Sequence, residues 1–229
     1  MTNRSVLVAG QWLLPLIDGA GGHFKYLDTA SQWNEACFLY LIQGLPRGLS
    51  YAEYFGGVGI FSTIIRNSLA PTEHYIFDLD RDCARQLKKA FGGCPHVTVA
   101  RGDARKTLGS VTTDVAVLDF PVCTLRTFDA HWPVAALLQH RPRYLLWSDT
   151  ALLRIGWFRG LYTQFLTEHG IEKHVVSFTD YVHGFNAYLW AAHGYTITKA
   201  VHHRAYAYLL AQPLPAPTLN PPVIKLLWK

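Results

Sequence analysis

The chain has 229 residues, which is enough for one well-packed core and a small appendage. Half of the residues are hydrophobic and 16% are charged, as is typical of a globular protein, and the longest apolar runs are too short to cross a bilayer. The composition therefore excludes a membrane-spanning protein. The net charge of +5 is compatible with a polyanionic partner without establishing one.

The four cysteines, at positions 37, 83, 94 and 123, are scattered, and no two of them form a C-x-x-C pair. This spacing argues against a zinc site and favours free thiols in a reducing compartment. The apolar stretch at residues 12–17 lacks the basic flank and the small-residue cleavage site of a secretory signal. The histidines show no H-E-x-x-H pattern. We therefore expect a cytoplasmic protein without a metal site.

Residues 1–48 precede the first clear strand, and we expect them to form helices, including one around residues 33–42, that cover a pocket. Strand-like and helix-like segments alternate after them. Asp80 is a candidate capping residue for the second helix of this alternation. Short apolar runs predict strands at 51–55, 75–77, 97–100, 115–118 and 144–147. This rhythm predicts an α/β fold built from parallel βαβ units.

The end of the chain departs from this rhythm. Segments 195–201 and 205–211 are both strand-like, and only residues 202–204 separate them. Two adjacent strands joined by so short a connection predict an antiparallel hairpin with these three residues in its turn.

The domain organisation follows from these elements. Residues 49–212 are predicted to form the core, with residues 151–180 as a lid over the substrate. Five prolines interrupt residues 213–229, so we expect an extended arm there rather than a helix. The apolar end of the arm would pack on the body of the protein, on a protein partner or on another copy in an oligomer.

Acidic residues mark the ends of four predicted strands, where parallel α/β sheets bind their ligands. Glu53 precedes a glycine-rich turn at residues 56–59, which lets a ligand approach the backbone and the N–H groups of the next helix. Asp78 follows the second strand and can accept two hydrogen bonds from a ribose diol. Asp103 follows the third strand and can accept from an adenine amino group, while Asp119 follows the fourth, nearest the reacting group. This order predicts a site for a nucleoside-type cofactor.

The same strand ends resemble the motifs of class I S-adenosylmethionine-dependent methyltransferases, in the order EYFGGVGIFS, HYIFDLDRDCARQL, RGDARKTL and DVAVLDFPV. The match covers about residues 50–150, and the hairpin resembles the last two strands of that family. The resemblance implies a Rossmann-like fold with a mostly parallel seven-stranded sheet and a C-terminal antiparallel hairpin, with S-adenosylmethionine as the cofactor. It implies cofactor contacts from Glu53, Phe55, Gly57, Gly59, Asp78, Leu79, Asp103, Ala104 and Asp119. A dinucleotide site fits less well, because Phe61 and Ser62 stand where the last glycine of G-x-G-x-x-G should fall.

The loop after the fourth strand supplies the candidate catalytic residues Asp119, Pro121 and Cys123. Asp119-Phe120-Pro121-Val122 keeps the acid and one proline of the Asp-Pro-Pro-aromatic tetrad of nucleic-acid amino-methyltransferases. Cytosine-C5 enzymes instead carry a Pro-Cys pair, which Val122 interrupts here. Cys123 is thus either a nucleophile or a small packed residue, and nothing in the sequence lowers its pKa.

The acceptor of the methyl group stays open at this point. A DNA or RNA base is the favoured substrate, because of the basic balance, the Asp-x-Pro loop and the mixture of arginines and aromatics in residues 141–159. The alternatives are an enzyme that methylates a small molecule, and a chain that has lost catalysis and serves as a binding or structural subunit.

Overall fold

The computed structural model describes residues 6–8, 11–13, 30–119, 140–150, 166–168, 170, 186–191, 193–203 and 206–214. The strands are Val6–Val8 (β1), Gln11–Leu13 (β2), Ser50–Tyr54 (β3), Glu73–Asp78 (β4), Val97–Arg101 (β5), Val115–Asp119 (β6), Tyr144–Thr150 (β7), Tyr195–His203 (β8) and Tyr206–Pro213 (β9). The helices are Ala30–Ile42 (α1), Ile60–Leu69 (α2), Arg81–Phe91 (α3), Ala104–Thr107 (α4) and Asn186–Ala191 (α5). No helix in this described part of the chain is long and apolar enough to cross a membrane.

Seven strands form one sheet in the order β5-β4-β3-β6-β7-β9-β8. The first five in this order run parallel, and β9 and β8 add an antiparallel pair at one edge. The chain builds outward from β3 through β4 to β5 and then returns to place β6 on the other side of β3. This reversal creates a switch point between β3 and β6, where α/β sheets bind ligands. The predicted seven-stranded sheet with its terminal hairpin is confirmed.

Apolar residues at helical spacing hold the two central helices on the sheet. In α2, the buried residues Phe61, Ile65 and Leu69 recur every four positions. The side chain of Asp80 caps α3 by accepting hydrogen bonds from the backbone N–H groups of Asp82 and Cys83, both at 2.8 Å, as predicted.

The sheet has a core on each face, because successive side chains of a strand point to opposite sides. One face lies beneath α1 and α2, where the rings of Phe38 and Phe61 stack 4.1 Å apart. On the other face, Trp147 packs edge-on against Trp190 of α5 at 5.0 Å. The sheet is thus packed on both of its faces.

Two predictions about local structure were wrong. The expected helix over residues 33–42 is present as α1, but β1 and β2 form a short antiparallel pair in place of helix, with Leu7 opposite Trp12. Valines and a tryptophan have side chains that favour such pairing. His203 lies opposite Tyr206 within the ladder, so the strands continue through His202 and His203, which were expected in the turn.

The predicted domain limits fall partly on residues that the structure does not describe. Most of the expected lid, residues 151–180, and nearly all of the expected arm, residues 213–229, lie outside the described residues. Pro213 is the last residue of β9 rather than the first of an arm. The lid and the arm stay predictions.

Candidate functional site

The ends of β3 to β6 gather the predicted acidic residues at one edge of the sheet. Glu53 is the penultimate residue of β3, and Asp78 and Asp119 are the last residues of β4 and β6. Asp103 follows β5, two residues beyond its end. Because these strands are parallel neighbours, all four residues lie at the carboxyl edge, as the sequence predicted.

The glycine-rich turn between β3 and α2 has a left-handed backbone at three positions: Phe55, Gly57 and Gly59, with φ of 66°, 54° and 86°. A Cβ on Gly59 would lie 2.8 Å from the ring of Phe91, so this position requires glycine for packing as well as for conformation. A Cβ on Gly57 would meet only the carbonyl oxygen of Phe55, at 3.9 Å. None of the described residues therefore fills the space beside Gly57.

The Phe55 backbone is unusual, because a bulky residue adopts φ > 0 only where the surroundings impose it. Its neighbour Gly56 donates to the carbonyl of Phe77 at 3.0 Å, and Gly59 donates to the carbonyl of Gly56 at 2.9 Å. These two hydrogen bonds fix the path of the turn and hold Phe55 in its left-handed conformation. The strained residue therefore lies within the predicted site.

Asp78 ties the glycine-rich turn to the end of β4. Its Oδ2 accepts a hydrogen bond from the backbone N–H of Gly57 at 2.8 Å, and its Oδ1 accepts one from Asp80 at 2.7 Å. A carboxylate has room for about four hydrogen bonds, so about two acceptor positions remain for a ligand. The side chain is half-buried, which is compatible with the predicted contact to a ribose diol.

Two large apolar side chains are exposed beside Asp78. Leu79 is 48% exposed and Val58, in the glycine-rich turn, is 62% exposed. They are the only large hydrophobic residues among those described that are so exposed. Large apolar side chains that stay exposed near a switch point are typical of a surface that a planar ligand covers.

The third motif brings Asp103 next to this region. Gly102 donates to the carbonyl of Asp78 at 2.9 Å, which holds the end of β5 against the end of β4. The backbone carbonyl of Asp103 accepts from Lys106 at 2.8 Å as α4 begins, and Ala104 is buried. The contacts of Asp103 and Ala104 with a cofactor stay predictions.

Glu53 is almost completely buried, with 1% of its surface exposed. Its Oε2 accepts a 2.6 Å hydrogen bond from the hydroxyl of Ser62 in the first turn of α2. Nε2 of His74 lies 3.3 Å from the same oxygen. The sequence predicted a ligand ammonium as the partner of Glu53, and the structure adds that Ser62 is its partner within the protein.

Asp119 is half-buried at the end of β6 and pairs in register with Ser148 of β7. The Ser148 hydroxyl donates to Oδ1 of Asp119 at 2.7 Å. Burial raises the pKa of Asp119 to about 6, the Ser148 hydrogen bond lowers it, and the nearby charge of Glu53 raises it. Perturbed carboxyl groups of this kind concentrate at functional sites.

Sequence reasoning did not assign roles to Ser62, His74 or Ser148. Ser62 lies on the buried stripe of α2, three residues before Ile65, and a polar residue in an apolar stripe is the signal that points to it. His74 alternates with Ile76 on the buried face of β4 and carries the same kind of signal. The contact of Ser148 with Asp119 depends on the register between two strands, which the spacing of residues in the sequence does not give.

Other predicted residues lie outside the site or outside the described part of the chain. Pro121 and Cys123 belong to residues 120–139, which are not described. Arg141 and Arg143 precede β7, so they lie at the opposite edge of the sheet from Asp119, and Arg143 is 3.9 Å from Asp114. The first two arginines of the stretch at 141–159 thus lie away from the site, and residues 151–159 lie outside the described residues.

The described cysteines form no cluster, and only Cys83, in the first turn of α3, lies near this edge. Cys37, Cys83 and Cys94 are free thiols, and burial raises the pKa of Cys37 to about 12. Within the described ranges, no three His, Cys, Asp or Glu side chains come together as metal ligands.

No protein-family model matches the sequence, and no curated protein is similar to it in sequence. Solved structures do share its fold. A candidate RNA methyltransferase of Pyrococcus horikoshii is 13% identical, with a TM-score of 0.56 over 80% of this chain and 83% of that one. The ribosomal protein L11 methylase of Lactobacillus delbrueckii subsp. bulgaricus is 11% identical, with a TM-score of 0.53 and 80% of each chain covered.

A third structure was determined with a ligand. Magnesium protoporphyrin IX methyltransferase of Synechocystis PCC 6803, with S-adenosylhomocysteine bound, is 15% identical, with a TM-score of 0.53 over 80% of this chain and 83% of that one. The chain therefore has the class I methyltransferase fold.

Proposed function

We propose that the chain is an S-adenosylmethionine-dependent methyltransferase whose acceptor is a base of a nucleic acid. The observation that carries the cofactor assignment is the position of Asp78, whose carboxylate binds the Gly57 amide of the glycine-rich turn while exposed Leu79 lies next to it. A ribose diol and an adenine face require this combination of a carboxylate and an apolar side chain at a switch point.

The residues at this edge fit the rest of the cofactor. Among the described residues, the backbone of the turn is accessible beside Gly57, and the N-cap of α2 is Gly59, which has no side chain to cap the helix. Glu53 and Asp119 place two carboxyl groups where the cationic methionine end would lie. S-adenosylmethionine, when bound, supplies a methyl group whose bond to the sulfonium breaks as the acceptor atom bonds to the methyl carbon, and the sulfur keeps the electron pair.

Asp119 is the residue we place nearest the acceptor. When the acceptor is an amino group, its nitrogen loses a proton after methylation, and a carboxylate with a pKa of about 6 can take that proton near neutral pH. Pro121 would shape the same loop. The role of Cys123 as a nucleophile stays a prediction.

The nucleic-acid substrate is supported by the net charge of +5 and by the Asp119-x-Pro121 sequence after β6. One structural neighbour is a candidate RNA methyltransferase, which agrees with this choice. A small molecule is the second candidate, because Arg141 and Arg143 lie at the edge opposite the site and because another neighbour methylates a porphyrin.

Calorimetric titration with S-adenosylmethionine and with S-adenosylhomocysteine tests the cofactor assignment. Asp78→Asn should weaken both affinities by about tenfold or more, because it removes a charged hydrogen-bond acceptor. Asp82→Asn is the matched control, since Asp82 is an exposed acid on α3 whose partner is Arg85. A folded wild-type protein that binds neither compound would overturn the proposal and leave the binding-subunit alternative.

Transfer of a labelled methyl group to RNA, DNA and small metabolites identifies the acceptor. Affinity for a nucleic acid should fall steeply as salt rises, because phosphate contacts release counterions. Affinity for an uncharged metabolite should change little between the same salt concentrations. Labelling confined to the small-molecule fraction would contradict the nucleic-acid assignment while leaving the cofactor assignment intact.

A further inference from the structure

Two serine–aspartate pairs lie at opposite ends of β6. Asp114, just before the strand, accepts hydrogen bonds from the backbone and hydroxyl of Ser50 at 3.0 and 2.9 Å. Asp119, at the other end, accepts from the hydroxyl of Ser148 at 2.7 Å. The first pair ties strands together away from the candidate site, whereas the second lies within it.

Ser148 is suited to hold a neighbouring carboxylate. Only 4% of its surface is exposed, so its hydroxyl is fixed among packed side chains. It lies directly opposite Asp119 in the parallel pairing of β6 with β7, so the backbone of both strands sets the distance between them. The hydrogen bond is thus an effect of strand register rather than of two flexible surface side chains.

The groups around Asp119 oppose its ionisation. From β3, the carboxyl of Glu53 acts on it with the same sign of charge, and His74 of β4 lies beyond Glu53 rather than against Asp119. The helices above this face, α1 and α2, contribute mainly buried apolar residues. They also contribute Ser62, which donates to Glu53, and Cys37, which burial keeps in the neutral thiol form. Among the described neighbours, Ser148 supplies the interaction that favours the ionised form.

We infer that Ser148 is a positioning residue of the cofactor site, whose hydroxyl holds the Asp119 carboxylate in the orientation and the charge state that a cationic ligand requires. The inference rests on the proposed function, which places the methionine end of the cofactor at this edge. When Asp119 is protonated, a bound cation displaces its proton to solvent. Binding of S-adenosylmethionine therefore releases a proton at mildly acidic pH and weakens as the pH falls.

The test compares Ser148→Ala with Ser148→Thr, which keeps a hydroxyl, and with Ser50→Ala, which breaks the pair at the other end of β6. Affinity for S-adenosylmethionine is measured by calorimetry from pH 5 to 8. Carboxyl-carbon NMR of the ligand-free proteins follows the titration of Asp119 itself. Thermal melting shows that each variant is folded.

In the wild type, affinity for S-adenosylmethionine should fall as the pH is lowered, with an apparent midpoint near the pH at which Asp119 titrates. Ser148→Ala should move both midpoints upward by about one pH unit, because a hydrogen bond to a charged group is lost. Affinity should drop about threefold near pH 6.5 and nearly tenfold at pH 5, with little change at pH 8. Ser148→Thr should restore the wild-type profile, and Ser50→Ala should keep it.

The inference is overturned when the wild type binds but Ser148→Ala leaves both midpoints in place, or when Ser50→Ala moves them equally. A wild-type protein that binds at no pH instead refutes the proposed function. In that case the NMR titration still shows whether Ser148 controls the charge of Asp119.

Discussion

The Ser62 hydroxyl donates a 2.6 Å hydrogen bond to Oε2 of Glu53 within the core, directly after the glycine-rich turn. A carboxyl group buried to this degree needs a hydrogen-bond donor, because moving it out of water without a new hydrogen bond costs several kcal/mol. The bond also joins β3 to the first turn of α2, so the two ends of the turn share one polar contact. Stability and site geometry are therefore coupled at this pair.

Ser62→Ala should destabilise the protein by about 1–3 kcal/mol, since it removes the 2.6 Å hydroxyl hydrogen bond and leaves only His74 near the buried Glu53 oxygen. Urea unfolding at pH 7 measures the change. Ser110→Ala is the matched control: its hydroxyl donates to the carbonyl of Thr107 at 2.7 Å on the surface, and its loss should cost no more than about 0.5 kcal/mol. Equal effects from the two serines would show that the Glu53 contact is of little importance.

Gly57→Ala should abolish cofactor binding while the protein stays folded. The added Cβ enters the open space beside the turn, where the cofactor is proposed to lie, and the left-handed backbone adds about 1–2 kcal/mol of strain. Gly48→Ala is the control for strain, because Gly48 has φ of 75°, has equally open surroundings and precedes β3 at the other edge. Urea unfolding and calorimetry are run on both variants.

Both glycine variants should lose similar stability, but only Gly57→Ala should lose affinity for S-adenosylhomocysteine. Wild-type affinity in Gly57→Ala would remove the turn from the site. Loss of affinity in both variants would assign the effect to the fold rather than to the local contact.

Ala70→Gly should stabilise the protein by about 0.5–1 kcal/mol. Ala70 ends α2 in the left-handed conformation, with φ of 45°, and its side chain is exposed, so glycine relieves strain without opening a cavity. Ala90→Gly is the same change at an exposed position in the last turn of α3, where it should destabilise by up to about 1 kcal/mol. Thermal and urea unfolding measure the change in stability of each variant. A loss of stability in Ala70→Gly would contradict the argument.

Much of this fold was predictable because each parallel strand is a short apolar run that ends in an acidic or glycine-rich segment. The run around Ile76 followed by Asp78 shows both features, and the helix signals of α2 and α3 fall between such runs. Local spacing therefore predicted the parallel βαβ units and the edge that carries the site, whereas the strand order comes from the structure.

The missing parts depend on contacts between distant segments. Strand β7 extends to Thr150 because its last residues pair with β9, from Ser148 opposite Tyr208 to Thr150 opposite Tyr206. The register between β6 and β7 places Ser148 beside Asp119, which is 29 residues away in the chain. Sequence spacing carries no information on register between strands so far apart, so this pair could not be predicted.

Asp119→Asn should stabilise the protein at pH 8 and have little effect at pH 4. The pKa of Asp119 is raised from 3.8 to about 6 in the folded state, chiefly by burial, so the folded protein holds this proton more tightly than the unfolded chain. The stability of the wild type should therefore decrease as the pH rises through the interval from about 4 to 6, and stay lower above it. Asparagine removes this titration and still accepts the Ser148 hydrogen bond through its amide oxygen.

The expected gain above pH 6 is up to about 3 kcal/mol, the equivalent of about two pKa units. Urea unfolding of both proteins at intervals between pH 4 and 8 measures it, with Asp114→Asn as the control. The pKa of Asp114 is lowered, mainly by the Ser50 backbone hydrogen bond, so its replacement should destabilise the protein at neutral pH. Opposite signs for two aspartates at the two ends of β6 would show that Asp119 is held at a cost to folding, as a residue kept for binding would be. A stability difference for Asp119→Asn that is independent of pH would refute the raised pKa.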